Sequence, residues 1–296
     1  MNTESNFHFE LNLEDSLRKL PWLIPFISLG TGALLFTGII ICLNYFNKGI
    51  YWTIIPAGLL AHAFFIVIVH DGAHKSITRT KADRLIMNLG SAMMLLPFYG
   101  EPFRKFHLIH HGNTNTEVDP LWPPSKKYLY ENRRWFYVLC ESVPILFTFY
   151  LLTQRRNKKI IPESPHTGPH MPSGPSINFY YMLAAMCLSA VIIFFFQPSW
   201  WFVVGSIFFL NLFATLRHWC EHLGTDLSIT SNTFWFPMGM GIGNHDTHHH
   251  SPHVSWFVLM IGLFRRRKST NPLKTLYGVL FSKSFMHYKE EPAQIK

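Results

Sequence analysis

Four apolar stretches, each near the roughly 20 residues that a helix needs to cross a lipid bilayer, constrain this chain more than any other feature. They run from Pro21 to about Phe46, from about Ile50 to His70, from about Phe179 to Gln197 and from Ser199 to Arg217. Only Asn47-Lys48-Gly49 separates the first two, and only Gln197-Pro198-Ser199 joins the last two. Such short polar links predict two helical hairpins with their tight loops at one membrane face.

The basic residues orient this arrangement. The tight-loop side carries only Lys48. The other side carries Arg18, Lys19, Lys75, Arg79, Lys81, Arg84, Arg104, Lys105, Arg155, Arg156, Lys158, Lys159 and a basic run at 265–268. By the positive-inside rule, both termini and both long connecting segments are expected in the cytoplasm. The formal net charge of +9 therefore reads as an orientation signal. The basic residues form no aromatic-interleaved patch, so no nucleic-acid partner is expected. A hydrophobic fraction of 48% with only 15% charged residues fits a partly lipid-embedded chain. A mean hydropathy of +0.13 leaves much of it in water. The four cysteines contain no C-x-x-C pair, which excludes a zinc ribbon or a disulfide framework. The polar start shows no secretory-signal pattern.

Leu85–Tyr99 and Trp135–Leu152 are apolar but short or interrupted, by Pro97 in one and by Glu141 and Pro144 in the other. Both are expected to be interfacial or re-entrant, because a single extra span would place the histidines on opposite faces. Arg155–Ser176 is rich in Pro, Ser and basic residues and reads as an exposed linker. Its His166 and His170 read as surface residues. The whole of 1–296 is expected to form one membrane domain, with 71–178 and 218–296 cytoplasmic or interfacial.

Histidine is the anomaly. Of the 17 in the chain, 12 fall in four short clusters. His70 and His74 stand four residues apart where the second run ends. His107, His110 and His111 follow the pattern H-x-x-H-H, and His245, His248 and His249 repeat it. His218 and His222 again stand four apart, at the end of the fourth run. Residues at i, i+3 and i+4 share one helical face, with Cβ atoms about 5–6 Å apart, so imidazoles placed in this way can bind one metal or flank two. Any one pair is weak evidence, but four clusters on one predicted membrane face point to metal binding. The two pairs and two triplets at this spacing supply ten imidazoles, more than the roughly four ligands of one zinc. Ligand softness alone admits iron, zinc, copper or nickel. His62, inside the second run, reads as lining a cavity, and His8 and His287 as isolated, solvated residues.

Taken together, these motifs resemble those of the membrane fatty acid desaturase and hydroxylase superfamily. That family carries H-x-x-x-H followed by two H-x-x-H-H boxes on a four-helix membrane stalk with a cytosolic cap. The surroundings also match: Lys75-Ser76 after His74, Asn113-Thr114-Asn115 and Asp119-Pro120 after His111, and Asn244 and Pro252 around the last box. Arg217…Glu221-His222 resembles the family's additional histidine context, with His218 where some relatives place a water-holding Asn. The likeness covers roughly His62–Trp256. It departs from the family pattern at Asp246-Thr247 and in the extra His250 and His253.

The resemblance implies a di-iron centre, dioxygen as co-substrate and a lipid or fatty acyl substrate. The metal ligands it implies are His70, His74, His107, His110, His111, His218, His222, His245, His248 and His249, with no catalytic group beyond them. Asp71, Glu221, Asn244, Asp246 and His250 are expected to support these rings through hydrogen bonds. No haem, flavin or rubredoxin-like motif is visible, so a separate electron donor of ferredoxin, rubredoxin or cytochrome b5 type is expected. Desaturation is the favoured reaction. Hydroxylation, ketolation of a carotenoid and oxidative decarboxylation share its first hydrogen abstraction. Two rivals belong to other classes. His218-Trp-Cys-Glu221-His222 formally matches an inverted zinc-hydrolase motif, and a metal transporter would place its histidines near mid-membrane. The expected fold is all-α: four membrane helices in two hairpins under a helical cytoplasmic cap that carries the histidine site.

Overall fold

The computed structural model describes residues 3–114, 116, 119–122, 124–143, 146, 176–225, 231–266 and 268–282. The expected linker at 155–175 with His166 and His170, the stretch 147–152, and His287 lie outside the described residues. Among the described residues the regular structure is helical, apart from one isolated bridge between Thr233 and Asn244.

Four helices are long and apolar enough to cross a membrane: α2 (Leu23–Asn47), α3 (Tyr51–Ala73), α8 (Phe179–Phe196) and α9 (Trp200–His222). The other helices are α1 (Thr3–Arg18), α4 (Ala82–Met93), α5 (Gly100–Asn113), α6 (Pro124–Asn132), α7 (Arg134–Ser142), α10 (His245–His250), α11 (Trp256–Arg265) and α12 (Pro272–Phe281). The outer faces of the long helices are apolar. Phe194 and Phe195 are each 72% exposed, and Phe26 is 70% exposed. Rows of bare aromatic and aliphatic side chains on several helices are stable against lipid and unfavourable in water.

Helix α3 is the central strut, packed against α2 on one side and α9 on the other. Its close contact with α9 depends on small residues, since Ala57 and Gly58 are buried at the crossing. A Cβ at Gly58 would collide with Phe209 and lie 2.9 Å from the Ser206 carbonyl. Small residues that let backbones approach are the usual means of helix association in lipid. The link from α2 to α3 is tied by Thr53, whose hydroxyl donates to the carbonyls of Cys42 and Ile50 at 3.0 and 2.8 Å. The second link turns at Gln197, in the left-handed region with φ 41°, and Pro198 then blocks any continuation of α8. Helix α8 rests mainly on α4. The two are joined by the Ser189 hydroxyl, which donates to the Ala92 carbonyl at 3.0 Å.

The helices run past the ends expected from hydropathy. Helix α3 continues from His70 to Ala73, and α9 from Arg217 to His222. The six residues that end at the first histidine of the first box, Phe65–His70, form a π-helical segment. Each residue it adds over regular α-helix turns the following side chains by about 100°, so this segment sets the direction of His70.

Among the described residues of the two ambiguous apolar stretches, 85–93 lie in α4 and 135–142 in α7, both short helices. Helix α4 has 12 residues, about 18 Å of rise against a hydrocarbon core of about 30 Å. Helix α7 runs beside the last turns of α9. The Trp219 indole donates to the Tyr137 hydroxyl at 2.8 Å. Further along, Asn211 donates to the carbonyls of Glu141 and Ser142, and Thr215 to that of Glu141, all at 2.8–2.9 Å. Asn211 is the midpoint of α9, so α7 ends alongside the middle of an apolar helix, where its terminal carbonyls need protein donors. An apolar cleft lies between α2, α3, α8, α9 and the end of α4, lined by Phe36, Leu43, Met94, Ile192, Phe202 and Ser206 among others.

The α3–α9 crossing can be tested directly. Gly58→Leu overpacks it and is expected to destabilise the protein by about 1–3 kcal/mol or more. Gly30→Ala is expected to be tolerated, because a Cβ there meets nothing within 4 Å. Thermal unfolding of the two variants in detergent measures the contrast.

Candidate metal centre

The histidine boxes meet at one end of the long helices, each brought there by a different element. The end of α3 supplies His70 and His74. Helix α5 supplies His107, His110 and His111, α9 supplies His218 and His222, and α10 supplies His245, His248 and His249. Helix α5 is fixed at its start by the buried Glu101 carboxylate, which receives the Arg84 guanidinium, the Asn88 amide at 2.9 Å and the Asn178 backbone N–H at 2.7 Å. Asp71 links the first box to the start of α11: it accepts the Trp256 backbone N–H at 2.9 Å and lies 3.4 Å from His70 Nδ1.

Nine imidazoles pack ring against ring in two sets. In the first, His70, His74, His107 and His248 bring their ligand atoms within 4.8 Å of one another, and His110, His222 and His249 do the same in the second. His111 and His249 join the sets, with ring centroids 4.3 Å apart. His245 packs on His222 and His249 at 4.9 and 4.6 Å. His218 stands at the edge, 5.2 Å from His222, where it forms a third group with Glu221 and His222.

The facing nitrogens cannot be satisfied by protons alone. His111 Nε2 lies 3.2 Å from His107 Nε2 and 3.1 Å from His248 Nε2. His245 Nε2 likewise faces His222 Nε2 at 3.2 Å and His249 Nε2 at 3.1 Å. A ring nitrogen carries one proton or one lone pair, so it cannot serve two such neighbours. The Nε2 atoms of His70 and His74 are buried with no hydrogen-bond partner among the described residues. Nitrogen lone pairs that converge, buried and unpaired, fit a bound transition-metal cation. The site can hold a metal on its donor set, and the donors are all imidazole.

Burial, reinforced by the neighbouring imidazoles, holds His74, His107, His245, His248 and His249 well below the usual imidazole pKa. Burial lowers His111 to about 3. These rings are neutral at pH 7, the form that ligates metal. His110 shows how one ring is oriented. Its Nδ1 lies 2.9 and 3.0 Å from the two Asp119 oxygens. A carboxylate only accepts, so Nδ1 carries the proton and Nε2 presents its lone pair.

The supporting residues differ in part from those expected. Glu221 pairs with Arg217 and lies 3.5 Å from His218 Nδ1 and 3.3 Å from His245 Nδ1. The side chains of Asn244 and Asp246 contact groups other than the ligand rings. On a short helix His245, His248 and His249 occupy the inner face, which leaves 246 and 250 outside. Asp246 lies 3.6 Å from both His250 and Arg266. The side chain of His250 is 60% exposed, and Asn244 donates to Glu10 and Leu259. His253 is exposed. His62 is fully buried in α3 against Phe236, at 5.6 Å between ring centroids. Three supporting residues were not singled out from sequence. Asp119 orients His110, Thr114 Oγ1 lies 3.2 Å from His249 Nδ1, and Glu10 holds α10. For Asp119 and Thr114 the sequence signal was their place in the family-like surroundings of the second box, which gave them no role.

A search among curated proteins and among solved structures returns no match. The family model described as "Fatty acid desaturase" matches residues 49–261, which run from the turn before α3 into α11 and include every histidine of the centre. The chain belongs to the fatty acid desaturase family.

Proposed function

We propose that this protein is a membrane oxidoreductase that uses two histidine-bound irons and dioxygen to introduce a double bond into a fatty acyl chain. The observation that carries this reading is the meeting of nine imidazoles in two joined sets, with His218 at their edge, at one end of four apolar helices. His70, His74, His107, His111 and His248 would hold one metal. His110, His218, His222, His245 and His249 would hold the other. When bound, two irons supply an oxidant, formed with dioxygen, that can take hydrogen from an aliphatic carbon. The protein contributes neutral rings, fixed tautomers and shielding from water. Asp119 fixes the proton of His110, and Asp71 and Glu221 stand beside His70 and His245. Electrons come from a separate donor of ferredoxin, rubredoxin or cytochrome b5 type. The basic residues at the histidine end support a cytoplasmic placement of that end and of both termini.

A single-zinc hydrolase centred on His218, Glu221 and His222 is the second reading, because these three side chains do come together. It leaves the remaining buried imidazoles without a role, and Glu221 already pairs with Arg217.

Metal content of the purified protein separates the two readings. About two irons per chain, largely lost in a His110→Ala/His248→Ala variant that removes one ligand from each set, is the expected result. About one zinc per chain, retained in that variant, would overturn the di-iron reading. Lipid product analysis of the reconstituted enzyme then distinguishes an alkene from an alcohol.

Asp119→Asn is expected to lower metal affinity about 10- to 100-fold, the usual effect of losing a carboxylate behind a ligating histidine. Competition with a chelator measures it.

The lowered imidazole pKa values also fix a pH dependence. Below the unfolded value near 6.5 the unfolded chain binds protons that the folded protein refuses, so stability falls with pH. For His111 the loss extends from about 6.5 down to about 3. The thermal midpoint of the metal-free protein is expected to drop between pH 7 and pH 5 and to stay nearly level between pH 7 and pH 8 as far as these histidines determine it. A flat profile across pH 5–7 would show that the rings are not buried as neutral groups.

A further inference from the structure

Helix α1 precedes the region matched by the family model, yet it carries two of the most buried charged groups in the structure. Glu10 is 0% exposed and Glu14 1%. A buried carboxylate is stable only when its oxygens are filled with donors, and the partners of Glu10 are specific. Its Oε1 accepts from Asn244 Nδ2 at 2.8 Å and from Arg266 Nε at 3.1 Å. Its Oε2 accepts from Thr247 Oγ1 at 2.8 Å and from Arg266 Nη2 at 2.9 Å. The space for this carboxylate is made by Gly262 of α11, where a Cβ would collide with it.

Two of these partners belong to the last histidine box. Thr247 lies between His245 and His248, and Asn244 immediately precedes α10. Helix α10 has six residues and no side-chain cap at its start. A helix so short has little stability of its own. It nonetheless supplies three rings to the centre, and their direction depends on how the backbone of α10 is held. Glu14 secures the chain just beyond, accepting from the Ser255 hydroxyl at 2.7 Å and its backbone N–H at 3.1 Å.

We propose that Glu10 is a positioning residue for the metal centre: through Thr247 and Asn244 it locks α10 so that His245, His248 and His249 converge on their metals. The proposal rests on the metal reading given above and adds to it a segment outside the matched family region. Glu10 touches no ligand ring. Its effect passes through the backbone of α10, and Arg266 neutralises its charge from the opposite side.

Thr247→Val tests this, because it keeps side-chain shape, the Glu10–Arg266 pair and the Glu10–Asn244 bond while removing the hydroxyl's contacts with Glu10 and Asn244. Glu10→Gln is the companion variant, and Thr247→Ser, which keeps the hydroxyl, is the rescue. Two measurements are made on the full-length protein. The first is amide hydrogen exchange of the 244–250 peptide in the metal-free state. The second is the rate of iron loss to a chelator in the loaded state. Thr247→Val and Glu10→Gln are expected to speed both by about tenfold or more, with Thr247→Ser near wild type. Wild-type exchange and iron retention in Thr247→Val would overturn the proposal. So would faster exchange with unchanged iron retention, since the contact would then hold the helix without bearing on the ligands. If the wild-type protein takes up no metal, the metal reading falls, and with it the role of Glu10 at the metal centre. The exchange of 244–250 would still report whether Glu10 holds α10.

Discussion

Everything in this structure answers to one electrostatic problem: nitrogen lone pairs gathered in a buried site where they cannot satisfy one another. Nine imidazoles, several with Nε2 atoms about 3.1 Å apart, do not attract as a group. The surrounding protein must hold them together until a cation makes the arrangement favourable. It does so with buried acids. Asp71 ties the first box to the backbone of Trp256, Glu101 ties α5 to α4 and to the start of α8, Asp119 holds His110, and Glu10 and Glu14 hold the chain at the last box. All of these acids except Asp119 join elements distant in sequence, and each has donors for its own charge.

The apolar helices impose a second constraint. A helix that ends within an apolar layer leaves carbonyls that no water can reach. Helix α7 ends in this way, and α9 provides Asn211 and Thr215 to receive its last carbonyls. These two polar residues are therefore part of the packing of the histidine end. Above them Trp219 and Tyr137 carry the same contact to the level of His218 and His222. One side of α9 thus supports α7 while its end presents rings to the centre.

Much of this was legible in the sequence because the signals are local. Apolar length marked the four long helices, and the i, i+3, i+4 spacing of the histidines marked ring-bearing helical faces. The extension of α3 and α9 beyond the apolar runs was not legible from hydropathy, since His70–His74 and His218–His222 are polar turns on continuing helices. The π-helical segment before His70 has no compositional mark among the β-branched and aromatic residues that form it. Asp246 contacts His250 and Arg266 and not a ligand ring for a geometric reason: adjacency to a ligand in sequence places a residue about 100° around the helix, away from the ligand face. Glu10 was invisible because its partners lie 234, 237 and 256 residues away. In sequence it sits in a polar leader indistinguishable from a solvated one.

These long-range contacts bind the fate of the metal to that of the fold. A ligand set delivered by four separate elements has no local stability to fall back on, so displacement of any one element opens the centre. Conversely, a metal that engages all four joins the two ends of the chain, because α10 is held by α1 and the first box by α11. Binding free energy at such a site is also folding free energy. The segments outside the matched family region therefore belong to the centre in an energetic sense. Through Glu10, Glu14 and Arg266 they determine how much of that energy goes into ordering α10 and how much remains to retain the metal.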